Sequence, residues 1–325
     1  MDINLSEFTI SRLRLTLAPR ETIHLPRLNK GITLRGAFGS TFRSLVCVDR
    51  NAPCDGCTVH PLCPYAFIFA PQVPEGAERL RLNRDIPRPF VIKPPLDGRE
   101  AYEPGEEFSF DLVLVGKAKD FFPYFVVTFR ELGERGIGVG RGRFDLKNLE
   151  AANTDGTWEH LHGWGELTVR APSGSISFES FSAVREERLL NRLKIRFLTP
   201  VLLKEKGRWA RPLSGPLMKR LRDRVSALSY FYCGEVPEMD FRKLGEAAES
   251  IRTIQQRLHW VEEKRYSRHR NLSHLLKGFL GEVELEGELG PFMPLLRLGQ
   301  YLHVGKATAF GQGWYQVEEQ GAGTR

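Results

Sequence analysis

Four cysteines crowd into one short segment of the chain. Cys47, Cys54, Cys57 and Cys63 have the spacing C-x6-C-x2-C-x5-C and are four of the five cysteines in the sequence. The C-x2-C step is typical of tetrahedral thiolate coordination. In a reducing compartment, such clustering favours a metal over disulfides. The segment therefore predicts a metal loop with four cysteine ligands over residues 47–63. Zinc is preferred because nothing else suggests redox chemistry, although an iron–sulfur cluster matches four cysteines equally well.

Two glycine-rich loops form the second chemical feature. The first contains Gly136, Gly138, Gly140 and Gly142 with Arg141 and Arg143, and the second contains Gly305, Gly311 and Gly313 with Lys306. Exposed amides in such loops can hold phosphate oxygens, and glycine lets the backbone approach a bulky partner. Neither loop follows a strand and opens a helix, so a dinucleotide fingerprint is not indicated. One interpretation is a tight helix-to-strand connection. Matching cationic loops in both halves favour contact with an RNA backbone.

Hydrophobic periodicity predicts the elements that must position these loops. In the first half it predicts strands at 8–17, 65–69, 108–115 and 144–149, helices at 34–46 and 122–133, and an irregular excursion over 71–105. In the second half it predicts strands at 193–197, 281–289 and 314–317 and helices at 217–232, 241–258 and 291–302. Both halves end alike, with an apolar helix, Leu-Gly, a glycine loop and a strand.

This repeated order predicts an α+β protein with tandem ferredoxin-like (RRM-like) domains, each β-α-β-β-α-β with insertions. The first domain is expected at residues 1–150, with the four-cysteine metal loop inserted. A linker with a hairpin is expected at 151–185. The second domain is expected at 186–325, ending in the glycine loop.

The composition agrees with a folded protein that binds a polyanion. Of 325 residues, 47 are Lys or Arg and 40 are Asp or Glu, which gives a formal charge of +7. The hydrophobic fraction of 41% excludes a disordered or low-complexity chain. No stretch approaches the ~20 apolar residues of a membrane span, and the start lacks the apolar core of a signal peptide. We therefore expect a cytoplasmic protein.

The C-terminal loop resembles a known signature. Residues 298–315 are similar to the G-h-G-x5-G-h-G motif of the RAMP superfamily, and most resemble the CRISPR-associated endoribonucleases that cut precursor CRISPR RNA (CRISPR-associated protein six). His303 stands where the first glycine of that motif would be. Further landmarks of the resemblance are Leu34-Arg-Gly-Ala-Phe-Gly39, the cysteine segment ending Cys63-Pro-Tyr65, residues 136–144, Phe197-Leu-Thr-Pro200 and Trp260-x4-Arg265-Tyr-Ser267.

The resemblance implies metal-independent RNA cleavage, in which the 2′-OH attacks the adjacent phosphate and leaves a 2′,3′-cyclic phosphate. Acid–base groups and cations are then needed. His303 is one candidate, because it follows a helix whose C-terminal end would raise its pKa, although it could equally be a capping residue. His24 is the other candidate, because the first helix has no histidine. Tyr266 could position the 2′-OH, and Lys306 lies beside the expected phosphate.

RNA contacts are expected from both loops and from the basic residues near them. The expected set is Arg35, Arg43, Gly136, Gly138, Arg141, Arg143, Arg265, Gly305, Gly311 and Gly313. The expected partners are CRISPR repeat RNA and other CRISPR-associated proteins, with no membrane. A second hypothesis keeps the fold and the RNA but makes the chain a non-catalytic RAMP subunit of a CRISPR effector complex.

Overall fold

The computed structural model describes residues 3–50, 52–73, 86–182, 190–205, 207–211, 213–267 and 272–319. For residues 263–267, 272–276 and 319 it describes the backbone only. Within these ranges, no helix combines the length and the hydropathy needed to cross a bilayer.

The first half is built on an antiparallel sheet. Its elements are β1 (Thr9–Pro19), β2 (Ile23–His24), α1 (Lys30–Val46), α2 (Pro64–Phe69), β3 (Phe90–Lys93), β4 (Ala101–Tyr102), β5 (Phe108–Val115), α3 (Phe122–Arg135), β6 (Phe144–Ala152), β7 (Trp158–Gly163) and β8 (Ile176–Ser177). The strand order is β3-β5-β1-β6-β7, and β8 pairs with the start of β1. Alternation in β1 buries Leu13, Leu15 and Leu17 in one core with α1 and α3, and leaves Arg12 and Arg14 on the other face.

The second half repeats the plan with fewer strands. Its elements are β9 (Arg192–Val201), β10 (Leu203–Glu205), β11 (Arg208–Ala210), α4 (Ser214–Leu228), α5 (Phe241–Ser250), β12 (Arg252–Ser267), β13 (Leu272–Glu286), α6 (Met293–Leu302) and β14 (Tyr315–Glu319). The main sheet has the order β12-β13-β9-β14. Counted by their four main strands, both sheets have the order second, third, first, fourth. The expected β-α-β-β-α-β unit produces this order.

The two halves share one core. Ile10, Val91 and Val113, from the face of the first sheet opposite α1 and α3, belong to the same buried cluster as Leu217 and Leu296 of the second half. This packing fixes the C-terminal glycine loop against the first half. The expected boundaries at 150 and 185 stay a prediction, although β7 and β8 pair within the first sheet rather than forming a separate linker.

Three sequence-based assignments are wrong. Residues 65–69 are helical rather than a strand, because Pro64 occupies the first turn of α2 and a short apolar run does not distinguish the two states. The 71–105 stretch contains β3, whose four residues are all buried. The helix expected to reach 258 ends at Ser250, and residues 252–258 begin the long strand β12 instead.

Candidate functional site

The N-terminal glycine loop, residues 136–143, lies against β2. The Val139 amide donates to the His24 carbonyl at 3.1 Å. Gly138 has φ +76°, and a Cβ there would stand 2.1 Å from the same carbonyl oxygen. Glycine is therefore required at 138 both for its conformation and for the close approach. This contact holds the loop against β2.

The C-terminal glycine loop, residues 303–313, lies against the start of α1. A Cβ on Gly31 would stand 2.4 Å from the Phe310 carbonyl oxygen, so helix and loop backbones touch. The Gln312 side-chain amide donates to Asn29 Oδ1 at 2.8 Å. These contacts join the loop of the second half to the first helix of the first half.

Both loops therefore flank one segment of the chain, residues 22–35. His24 touches the first loop and Gly31 touches the second. The seven Cα–Cα steps from His24 to Gly31 can span at most about 25 Å, even when fully extended. The two points of contact therefore lie no further apart than this distance.

Only some of the glycine amides remain available for a ligand. The amides of Gly136, Gly311 and Gly313 donate to the Leu132, Thr308 and Pro200 carbonyls. Among the described residues, the amides of Gly138 and Gly305 donate to no backbone carbonyl. The expectation that these loops bind phosphate through their amides thus narrows to Gly138 and Gly305, while the other three glycines hold the loops in shape.

Several polar side chains around this segment are uncommitted. His24 is exposed, and in the described part of the chain its ring makes no hydrogen bond or ion pair. Arg27, Arg141 and Lys306 are likewise exposed and unpaired there. Lys30, in contrast, is buried and ion-paired with Asp97 at 2.9 Å. A polyanion reaching the 22–35 segment would meet one imidazole and three free cations.

His303 is enclosed and neutral. Its backbone has φ 61° and ψ 172°, a glycine-like conformation at the C-terminal end of α6. Nδ1 pairs with the Gln312 carbonyl at 3.2 Å, the ring stacks on Trp314, and buried Nε2 has no partner. Burial, helped by the charges of Lys93 and Arg224, holds its pKa well below 6.5. The expectation of a raised pKa is wrong, because loss of water outweighs the favourable helix end.

The predicted RNA-binding arginines go to different places. Arg35 lies over the rings of Phe69 and Phe310, at 5.2 and 4.4 Å. Arg43 turns towards the cysteine loop, where it donates to the Arg50 and Ala52 carbonyls. A role for Arg43 in contacting RNA is therefore not supported by its position.

Two further basic residues and one tyrosine complete the predicted set. Arg143 is half exposed and pairs with Glu21 through two of its nitrogens. The backbones of Arg265 and Tyr266 lie in β12, opposite His274 and Ser273, but their side chains lie outside the described residues. The predictions for Arg265 and Tyr266 remain predictions.

A row of alternating cations and aromatic rings was missed by sequence reasoning. This cation–aromatic ladder runs Arg14, Trp158, Arg12, Tyr301, Lys93, Trp314. Successive members lie between 4.0 and 5.8 Å apart, measured from charge to ring centroid. The ladder starts on the face of the first sheet opposite α1 and α3 and ends beside Gly313. Alternation in β1 indicated that Arg12 and Arg14 share a face, but nothing in the sequence brings Trp158 and Tyr301 to them.

Lys93 is the most perturbed cation of the ladder. It lies on β3 opposite Asp111, between the rings of Tyr301 and Trp314, at 5.0 and 4.5 Å. Burial, followed by repulsion from Arg12, lowers its pKa to about 8. The Asp111 carboxylate accepts hydrogen bonds from both Arg12 and Arg14, so its negative charge is shared with these two arginines. Lys93 is therefore positive at neutral pH and loses its charge in mildly alkaline solution.

The four cysteines of the predicted metal loop line one cavity of about 160 Å³. Burial, together with the charges of the other three thiols, raises the pKa of Cys54, while Arg43 lowers it. Among the described residues, no group of three or more His, Cys, Asp or Glu side chains is arranged to hold a metal ion. The expected single-ion zinc site is therefore not preformed.

Comparisons with known proteins identify the family. Residues 8–173, just over half of the chain, match the family AF_1859_N, described as an N-terminal domain. Residues 195–315 match the family of the CRISPR-associated endoribonuclease Cas6. The chain belongs to the family AF_1859_N.

Solved Cas6 structures share this fold across nearly the whole chain. A product complex of Cas6 TTHB231, a protein of Thermus thermophilus, is 18% identical with a TM-score of 0.57, and the match covers 95% of this chain and all of that one. A product complex of Cas6 TTHA0078 is 17% identical with a TM-score of 0.53, over 95% and 99%. A partial Cas6-RT-Cas1–Cas2 complex is 14% identical with a TM-score of 0.58, over 98% of this chain and 48% of that one. No curated protein matches.

Proposed function

We propose that this protein is a Cas6-type endoribonuclease that cuts precursor CRISPR RNA within its repeat, without a metal. In the proposed step the 2′ oxygen forms a bond to the adjacent phosphorus and the bond to the 5′ oxygen breaks. A base takes the 2′ proton, and an acid protonates the leaving oxygen. The products are a 2′,3′-cyclic phosphate and a free 5′-OH.

One observation carries the proposal. Both glycine loops flank the 22–35 segment, which exposes His24. We assign the proton transfer to His24, because it is the uncommitted imidazole at that segment and histidine is the side chain that most often acts as a general acid or base. We assign stabilisation of the phosphorane charge to Lys306 and Arg141, on opposite loops, with the free amides of Gly138 and Gly305.

The other sequence candidates receive different roles in this proposal. His303 is a structural residue, because an enclosed neutral imidazole has no path to a phosphate. Tyr266 remains the candidate for orienting the 2′-OH.

The RNA on either side of the cut is expected to use the cation–aromatic ladder. Bases of single-stranded RNA stack on aromatic rings and guanidinium planes, and the three rings of the ladder are half-buried. The ladder leads away from the C-terminal loop, so a strand bound at the loop can continue along it. This arrangement supports tandem ferredoxin-like domains acting as one RNA-binding unit.

Partners are proposed from the same family. The matched structures include Cas6 product complexes and an assembly of Cas6-RT with Cas1 and Cas2. We propose CRISPR repeat RNA as the substrate and other CRISPR-associated proteins as partners. Work on a cellular transcript fits the expected cytoplasmic location.

The decisive experiment incubates the purified protein with end-labelled repeat RNA in EDTA. We expect cleavage to a cyclic phosphate and no cleavage when the reacting nucleotide carries 2′-deoxyribose. His24→Ala should lower the cleavage rate by about 10²–10⁴-fold with RNA affinity retained. His160→Ala is the matched control, since His160 is another half-exposed histidine, paired with Glu166 away from the loops.

Other results would redirect the proposal. Tight binding with the RNA left whole would favour the non-catalytic subunit instead. Wild-type cleavage by His24→Ala would remove His24 from the mechanism and leave the nuclease assignment standing.

A further inference from the structure

The cysteine loop surrounds a cavity that no part of the proposed RNA chemistry uses. All four thiols, from Cys47 at the end of α1 to Cys63 at the start of α2, line it. The rest of the wall is mostly apolar and includes Val46, Val59, Leu62 and Tyr65.

The backbone brings three of the thiols to one side. The amides of Cys57, His60 and Cys63 donate to the carbonyls three residues earlier, those of Cys54, Cys57 and His60. Cys54, Cys57 and Cys63 thus stand at the ends of successive turns, and all three line the cavity together with Cys47, which follows α1. His60 also lines the cavity, and its Nε2 pairs with the Ala70 carbonyl at 3.0 Å.

The size of the cavity distinguishes between two thiolate centres. Four sulfurs around one Zn²⁺, each about 2.3 Å from the ion, would lie about 3.8 Å apart and leave no space between them. Here the thiols line a cavity of about 160 Å³ and are not arranged around a single ion. An iron–sulfur cluster separates its cysteine sulfurs further, because iron and sulfide lie between them, and it prefers an apolar wall.

We propose that Cys47, Cys54, Cys57 and Cys63 bind an iron–sulfur cluster that fills this cavity and ties the end of α1 to α2. Arg43 supports the assignment. Its guanidinium holds the Arg50 and Ala52 carbonyls, which fixes the loop, and places a positive charge beside a centre whose ligands are anionic. The centre is structural in this proposal and takes no part in cutting RNA.

The test is to purify the chain without oxygen and measure iron, acid-labile sulfide and zinc per chain. We expect about four irons and four sulfides, or two of each for the smaller cluster, with a visible charge-transfer absorption. Each Cys→Ser change at the four positions should abolish the absorption. Cys233→Ser is the matched control, because Cys233 lies far along the chain at the end of α4 and should leave the absorption unchanged.

Thiol counting on the wild-type protein covers the case in which the variants do not fold. Four of the five cysteines should resist alkylation in the native protein and become reactive after the cluster is removed. One zinc per chain with the same four thiols protected would overturn the cluster in favour of a single ion. Four reactive thiols with no bound metal would overturn the site altogether. Neither readout depends on RNA cleavage, so the nuclease proposal is tested separately.

Discussion

His303 occupies a position that is glycine in the signature that residues 298–315 resemble, and its side chain is buried. The positive φ that glycine would adopt freely is kept, and the imidazole is packed between Trp314 and the Gln312 carbonyl. Because its pKa is lowered in the folded state, the unfolded chain takes up a proton first as the pH falls. The stability that His303 contributes is therefore complete above pH 6.5 and lost below it.

We expect the free energy of unfolding to fall by up to ~1.4 kcal/mol for each pH unit below about 6.5 because of this residue. His303→Gln keeps a neutral side chain and should flatten that part of the curve in urea unfolding measured at several pH values. His259→Gln, at an exposed position on β12, is the control and should leave the slope as in wild type. An equal slope in His303→Gln and wild type would mean that the imidazole is protonated in the folded protein.

Lys93 makes the protein sensitive to alkaline rather than acidic pH, because its charge is lost at mildly alkaline pH. Because the pKa of Lys93 is about 8, the side chain is mostly neutral at pH 9. It must then bind a proton before it can form an ion pair with a phosphate. At one pH unit above the pKa, this requirement lowers the affinity for RNA by about tenfold. We expect the affinity for repeat RNA to weaken by about that factor between pH 7 and pH 9 in wild type. Lys93→Arg, which stays charged, should lose much less over this interval. Parallel pH profiles of the two proteins would exclude Lys93 from the RNA path.

At the scale of elements, the contact of α1 with the C-terminal loop can be tested through one glycine. Alanine normally stabilises a helix by up to about 1 kcal/mol over glycine. At Gly31 the added Cβ would meet the Phe310 carbonyl at 2.4 Å, so Gly31→Ala should instead lower the melting temperature and slow RNA cleavage. Gly215→Ala in α4 is the matched control, since a Cβ there meets nothing within 4 Å and should stabilise the fold. Stabilisation by both changes would show that helix and loop are not in contact.

The elements also show what local sequence could predict. The alternation of β1 and the apolar stripes of α1, α3, α4 and α6 were sufficient to place these elements, because each buries one face. The short buried runs were not predicted correctly from the sequence. Residues 65–69 and 90–93 are apolar on nearly every side, so periodicity carries no information there. The burial of Lys93 between Tyr301 and Trp314 arises only through packing of the two halves, and Lys93 in turn helps to lower the pKa of His303 across the same boundary.

At the scale of the whole molecule, the packing of the two halves places both loops against the 22–35 segment, and each loop carries one exposed cationic residue. Arg141 belongs to the first half and Lys306 to the second, and neither has a protein partner in the described ranges. If one RNA strand contacts both, each residue neutralises one phosphate of the same ligand. The slope of log affinity against log salt concentration should then become shallower by about 0.7 for each residue removed.

We expect Arg141→Ala and Lys306→Ala each to reduce that slope by about 0.7, and the double variant to reduce it by about 1.4, measured by titrating labelled repeat RNA at several salt concentrations. Additive losses are expected because the two residues contact different phosphates and not each other. Arg242→Ala, a highly exposed arginine on α5 away from both loops, is the control and should leave the slope unchanged. A double variant no weaker than either single one would mean that the loops never hold the same strand. The two halves would then bind RNA separately, and His24, which lies between the loops, would lose its claim to the reacting phosphate.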